Sequence, residues 1–418
     1  MMGKRSIADL VRDGAILAIQ DGNHGEKHPT AADYVERDGV PFVMARDFPN
    51  GNLDLRNVTL LNQEVADNLR VGFAKPGDVL LTHKGTVGAT GIVPDGFEYV
   101  MLTPQVTYYR TDPRRLLNTY LRCAFRAPDF QHQLTSLSAQ STRPFVSISA
   151  QRSLTVPVPP VPVQRRIAGI LSAYDDLIEN CERRIHVLDE MARALYREWF
   201  VLFRYPGHEK TPLVESPLGK IPKGWATGSF TDFVDVLSGG TPKTDVAEFW
   251  NGEIPFFTPR DAPDCFYVRD TEKHLSALGL SKCASELYPP DTVFITARGT
   301  VGKVALPSVP MAMNQSCYAL RARGDTSQRF LFLLTLQQVD YLKKNTGGAT
   351  FATIVVDTFR RMQVVLPPAA LIAEFACLVD PMFDTIRNLD SRVANLRTTR
   401  DLLLPRLLSG QLSVEEAA

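Results

Sequence analysis

Lys84 and Arg298 each stand directly before a Gly-Thr-Val-Gly tetrapeptide, at Gly85-Thr86-Val87-Gly88 and Gly299-Thr300-Val301-Gly302. A cationic donor beside a glycine turn, with a threonine hydroxyl next to it, can hydrogen-bond to phosphate oxygens or to acceptors on base edges. Lys84, Thr86, Arg298 and Thr300 are therefore candidate nucleic-acid contacts. Lys27, Gln105, Arg143, Lys243 and Gln315 join them, since they lie in polar or turn-rich stretches and carry the donors that base and phosphate recognition uses. The competing reading is structural: the glycines supply positive φ to a tight turn and the flanking side chains are ordinary solvated surface.

Motifs for catalysis are missing. Gly239-Gly240 and Gly347-Gly348 are not followed by the Lys-Ser/Thr of a phosphate loop, and no GxGxxG opens a helix. The Pro-Pro pairs at Pro159, Pro289 and Pro367 lack the Asn or Asp before and the aromatic residue after that an amino-methyltransferase would show. Pro94-Asp95 with Glu98 comes nearest to a magnesium-binding carboxylate pair, but Tyr99 and Val100 stand where the lysine is needed, and Pro-Asp-Gly reads as a turn. Cys123, Cys181, Cys265, Cys283, Cys317 and Cys377 form no CxxC pair and are expected to be buried, reduced thiols. No catalytic and no metal-binding residue is nominated.

What must position the candidate residues is written twice. Val40-Pro41-Phe42 followed by Arg46-Asp47 returns as Ile254-Pro255-Phe256 followed by Arg260-Asp261, at the offset of 214 residues that also relates Gly85 to Gly299. The offset then becomes 208, carrying Pro159-Pro160 onto Pro367-Pro368. The sequence is thus a tandem duplication: a mixed globular part, then a helix, twice. Residues 79–82 and 293–296 are short apolar runs stopped by a glycine turn, as in buried strands, while 116–125 and 330–342 have helical spacing. The predicted class is α+β, with globular parts at 1–160 and 206–366 and helical segments at 161–205 and 367–418.

Past the proline-rich stretch 156–162, Ile167, Leu171, Tyr174, Ile178, Cys181, Ile185, Leu188, Ala192, Leu195, Trp199 and Leu202 alternate steps of four and three. Phe375, Val379, Met382, Ile386, Leu389, Val393, Leu396, Leu403 and Leu407 repeat the pattern, with Arg400 interrupting it and Pro405 expected to kink or end the helix. Such a narrow seam predicts that the two helices pair as an antiparallel coiled coil, rather than each lying only on its own globular part. A helix over about 163–203 would be roughly 60 Å long, more than one turn of DNA. Trp199 and Phe200, at its end, are expected to pack in a core rather than dock a partner.

With 44% hydrophobic and 22% charged residues the chain has a globular composition. Zero net charge argues mildly against a stand-alone nucleic-acid binder, unless partners help to hold the ligand. No apolar run reaches the ~20 residues of a membrane span, and Met1 to Asp13 lack a signal-peptide core, so a cytoplasmic location is expected.

Two diverged units, each with Ile/Val-Pro-Phe-x-x-x-Arg-Asp, an apolar strand, Lys/Arg-Gly-Thr-Val-Gly, Pro-Pro and a heptad helix, resemble the specificity subunits of type I restriction-modification systems over nearly the whole chain. Val163-Gln164-Arg165-Arg166-Ile167-Ala168-Gly169-Ile170-Leu171-Ser172, with Asp175-Asp176 and Ile178-Glu179-Asn180 after it, looks like the family's central spacer helix, and Leu404-Pro405-Arg406-Leu407-Leu408-Ser409-Gly410-Gln411-Leu412 like its closing segment. Ala370-Leu371-Ile372-Ala373-Glu374 departs from the Gln-Arg-rich helix opening. The resemblance implies two target-recognition domains reading a bipartite stretch of double-stranded DNA, with the helices fixing the gap. It implies no chemistry on this chain; two methyltransferase subunits would bring S-adenosylmethionine and methylate adenine, and two motor-nuclease subunits would use ATP and magnesium. The rival readings are a coiled-coil scaffold or adaptor without DNA readout, and a catalytic methyltransferase or nuclease with an unfamiliar motif.

Overall fold

The structure, a computed structural model, describes residues 3–22, 28–138, 144–263, 265–324, 326–345 and 353–414. It divides into two units, residues 1–178 with 395–418, and residues 179–394.

In the first unit, β1 (Ile16–Asp21), β2 (Val40–Val43), β3 (Val79–Lys84), β4 (Thr86–Ile92), β5 (Val100–Leu102) and β6 (Val106–Thr111) build two sheets. One is an antiparallel sheet in the order β1-β6-β3-β4, and the other is centred on a parallel pairing of β2 with β5, Phe42 opposite Met101 and Val43 opposite Leu102. β3 forms where the sequence predicts a strand because Val79 to Leu81 are wholly buried. The helix α1 (Asn118–Arg126) packs on this sheet through Phe125, whose ring meets Tyr109 edge-on at 4.8 Å and stacks on Phe130 at 4.4 Å.

The second unit repeats the plan. β7 (Val234–Ser238), β8 (Trp250–Phe257), β9 (Val293–Thr296), β10 (Val304–Pro307), β11 (Ala312–Met313) and β12 (Cys317–Ala322) give a sheet containing the order β7-β12-β9-β10, and a parallel pairing of β8 with β11. The helical layer differs in continuity: α1 is followed by a second helix at Pro128–Ser138, whereas α3 (Gln328–Asn345) runs unbroken for 18 residues.

The two heptad segments are helices α2 (Val161–Tyr196), prolonged by a five-residue π turn at Arg197–Val201, and α4 (Ala369–Ser409). They pack together. In the first unit Ile167 and Leu171 share a buried cluster with Leu404, Leu407 and Leu408, with Leu403 at its margin. In the second, Tyr196, Trp199 and Phe200 meet Phe375, at 4.8 Å for the Phe200 pair. The helices meet as the seam predicts, and the same residues also enter each unit's globular core: the first cluster contains Phe125 and Phe130, and Phe200 packs edge-on to Phe330 at 5.0 Å.

Among the seam residues, Ile178, Ile185, Val379, Ile386, Leu389 and Val393 are buried, while Leu188, Leu195 and Leu396 are half-buried. Two predicted positions move. Met382 is half-buried and its neighbour Phe383 takes the core position, stacked on Phe266 at 5.0 Å, because the globular core offers it an aromatic partner. Leu202 lies past the π turn and is exposed. Pro405 does not end the helix, which runs through both Pro381 and Pro405 to Ser409. Burial of Leu404, Leu407 and Leu408 offsets the lost backbone hydrogen bond there. Pro162, in the first turn of α2, has no such bond to lose.

All six cysteines are free thiols. Cys123, Cys181 and Cys317 are buried, and burial pushes the Cys123 and Cys317 thiols up to about 11 and about 12; Cys377, expected inside, is exposed. No helix among the described residues is long and apolar enough to cross a membrane.

Candidate nucleic-acid interface

The turn after β3 and the turn after β9 are built alike. Gly85 and Gly88 have φ of 80° and 98°, Gly299 and Gly302 of 78° and 77°, so the glycines of the repeated motif hold conformations that side chains disfavour. Buried Thr82 accepts a hydrogen bond through Oγ1 from Ala89 N at 2.9 Å, and buried Thr296 does the same from Lys303 N at 2.9 Å. Each turn is thereby buckled across its base, and Lys84, Thr86, Arg298 and Thr300 stand exposed on it. The glycines make the turn and the flanking side chains stand exposed on it, an arrangement that both readings of the motif require.

The Arg-Asp motif lies beside the turn in both units. Asp47 Oδ2 accepts from Met44 N at 2.7 Å, and Asp261 Oδ2 accepts from Thr258 N at 2.8 Å and Thr258 Oγ1 at 2.6 Å, so each aspartate closes its own short turn. Burial raises the Asp47 carboxyl above its ordinary range, against the lowering by the Met44 N–H. The arginines point outward: Arg46 is 65% exposed and donates to Thr59 Oγ1 at 2.6 Å, and Arg260 is exposed. Gln105 bridges motif and turn in the first unit. Its Oε1 accepts from Ala45 N at 3.1 Å, and a methyl group on Gly85 would lie 3.9 Å from its Nε2. In the second unit a methyl group on Gly299 would lie 3.9 Å from the Pro259 side chain, next to Arg260.

A third loop joins each cluster. Gly22, just after β1, and Gly239, just after β7, press on the chain leading to Gln105 and Gln315: a methyl group would come within 1.9 Å of Leu102 O or 2.1 Å of Asn314 O. Only glycine permits that approach. Beyond Gly239, Thr241 Oγ1 donates to Gln315 Oε1, leaving the Gln315 amide nitrogen as an exposed donor, and Lys243 is exposed with its carbonyl accepting from Trp250 Nε1 at 3.1 Å. Arg298 N donates to Ser316 O at 3.3 Å, which ties the glycine turn to the Gln315 segment.

Lys84, Thr86 and Gln105 are thus gathered in the first unit, and Lys243, Arg298, Thr300 and Gln315 in the second; Lys27 and Arg143 lie outside the described residues. Arg46 and Arg260 lie beside them, and their shared offset of 214 residues is the sequence signal that marks them. Both clusters offer donors, with arginine, lysine and amide groups suited to phosphates and base acceptors. Among the described residues no group of His, Cys, Asp and Glu could hold a metal ion.

Comparison with known proteins identifies the family. The family profile for the type I restriction modification DNA specificity domain matches residues 24–190 and again 222–375, one match for each copy of the repeat. The chain is 26% identical over 387 residues to the type I restriction enzyme MjaIX specificity subunit of Methanocaldococcus jannaschii, covering 90% of this chain and 88% of that one. It is 24% identical over 335 residues to the HindI specificity subunit of Haemophilus influenzae, covering 66% and 72%. Its fold matches the crystal structure of a type I restriction-modification S subunit from M. genitalium with a TM-score of 0.59 at 14% identity, over 98% of this chain and 96% of that one. With more than half of its length matched by the family profile, in two copies that coincide with its internal duplication, the chain belongs to the type I restriction-modification DNA specificity family.

Proposed function

We propose that this chain reads a bipartite sequence on double-stranded DNA, each globular unit contacting one half-site through its cluster of turn, Arg-Asp motif and glutamine-bearing segment. α2 and α4 then act as an antiparallel coiled coil whose length sets the gap between half-sites. The observation that carries the reading is the duplication of the cluster: the same buckled turn presents Lys84 in one copy and Arg298 in the other, on frames related by one offset.

In this reading the chain performs no chemistry. Two methyltransferase subunits bring S-adenosylmethionine and methylate adenine, and two motor-nuclease subunits use ATP and magnesium. Zero net charge then fits, because partners supply part of the phosphate clamp. Two similar units on one chain also suit two identical partners arranged about a pseudo-twofold axis.

The test is a genome-wide methylation map of a host expressing the chain with its methyltransferase, against the same host lacking the chain. A split adenine-methylated motif that vanishes with the chain supports the reading. Unchanged methylation, with both proteins stably expressed, overturns it.

A further inference from the structure

Around the glycine turn the two units share a backbone frame and, besides Lys84 against Arg298, differ in a pair of side chains set in it. Val146 N donates to His83 O at 3.0 Å, and Ile354 N donates to Ala297 O at 2.9 Å. Position 83 therefore corresponds to 297, and position 145 to 353. The inner member is buried His83 in one unit and buried Ala297 in the other; the outer member is Phe145, 39% exposed, or exposed Thr353.

The phenyl ring is held in place. Lys84 and Phe145 form an antiparallel bridge, and Gly85 N donates to Pro144 O at 3.4 Å, so the ring sits beside the turn that presents Lys84 and Thr86. His83 supports it from below, with ring centroids 5.6 Å apart and planes tilted by 48°, and Nδ1 of that imidazole pairs with Val146 O at 3.1 Å. A single exposed apolar residue ordinarily needs no explanation. Here the exposed ring, its buried support and its place in the donor cluster occur together, and in the second unit ring and support are replaced together.

We infer that Phe145 makes the apolar contact to a thymine methyl group in the half-site read by the first unit, with His83 as its positioning residue, and that Thr353 on Ala297 gives the second unit a polar reader at the matching place. The inference rests on the function proposed above. The C5-methyl of thymine is the apolar feature that base pairs present in the major groove, and phenylalanine is among the side chains that meet it. A wedge between base steps needs a ring standing clear of the surface; Phe145 is more than half covered, which suits contact with a base edge.

The experiment uses the full chain assembled with its methyltransferase subunits. The methylation map is made first and yields the motif; absence of a split motif defeats the proposed function, and this outcome is distinct from any failure of the thymine contact. Exchanging residues 1–155 for those of another family member identifies the half-site that belongs to the first unit. Duplexes bearing the motif are then prepared with each thymine of that half-site replaced in turn by deoxyuridine, and affinities are measured by fluorescence anisotropy. One replacement is expected to weaken wild-type binding about fourfold, the worth of one buried methyl group, and to have no effect on Phe145→Ala. The double substitution His83→Ala with Phe145→Thr, which installs a pair close to the one the second unit already folds around, is expected to lose the same discrimination, so an unfolded Phe145→Ala does not stop the test. The inference is overturned if no thymine of that half-site is sensitive in the wild type, or if either variant keeps the penalty.

Discussion

At the residue scale, the proposed function gives lysine and arginine at the same position different tasks, and they predict different losses. Arg298 carries a planar fork suited to the two acceptors of guanine, whereas Lys84 offers a mobile point charge suited to phosphate. Arg298→Ala should cost about 1–3 kcal/mol at one half-site and relax a single base position. Lys84→Ala should weaken all duplexes alike and lower the slope of log affinity against log salt by about 1. Affinity titrations at several salt concentrations, on matched and single-mismatch duplexes, separate the two; equal behaviour would defeat the distinction. These residues were legible because the repeat marked them twice. Arg46 and Arg260 were marked twice as well, yet their motif read as architecture, and only the structure separates the inward capping aspartate from the outward arginine. The Phe145 and His83 pair left no signal at all, since its members are far apart in sequence and its counterpart shares neither residue type.

At the scale of elements, Arg400 shows what sequence periodicity can and cannot say. It interrupts the apolar seam of α4, and in the structure it donates to Asp175 on α2 at 2.7 Å, within the first unit. Arg126 meets the same carboxylate at 2.9 Å and Arg122 at 3.6 Å, so one aspartate faces three guanidinium groups, all at most a quarter exposed. Removing the shared partner takes the carboxylate from Arg122 and Arg126, although Arg400 keeps Asp401 at 2.8 Å, while removing one of the three guanidinium groups leaves Asp175 paired. Asp175→Ala should therefore destabilise the first unit by about 3 kcal/mol, and Arg400→Leu by about 1 or less, since leucine continues the seam. The midpoint of the first unit's thermal transition would report the difference, and an equal drop would refute the account.

Gln164 makes the complementary point at the opening of α2. Wholly buried, it accepts from Leu117 N at 2.9 Å and donates to Arg115 O at 3.0 Å and Pro159 O at 2.8 Å, clamping the helix start to the globular part. Ile372 holds the matching place in α4 and is buried too, so the departure noticed in the sequence exchanges a polar clamp for an apolar one. Gln164→Ala should cost about 2–4 kcal/mol, because it strands buried backbone groups, and the same thermal measurement checks it. Seam periodicity was legible because heptads depend on nearest residues along a helix; Pro405 and the shift from Met382 to Phe383 were not, because tertiary burial decides both.

At the scale of the whole molecule the informative feature is length. If the paired helices set the gap, one heptad inserted after Leu188 and one matching heptad after Leu389 keep the 3.5-residue seam in register. Each insertion adds about 10 Å of helix at ~1.5 Å per residue, or about three base pairs. The mapped motif should then keep both half-sites and widen its gap by about that number. A four-residue insertion, which throws the seam out of register, should instead abolish methylation. The two outcomes are decided by the same methylation map, and the reason to expect them is specific. On the proposed function, base contacts belong to the turns of each unit, which neither insertion touches, whereas spacing belongs to the helices; a changed half-site, or an unchanged gap in a stable heptad variant, would mean that recognition and spacing are not divided between the elements in this way.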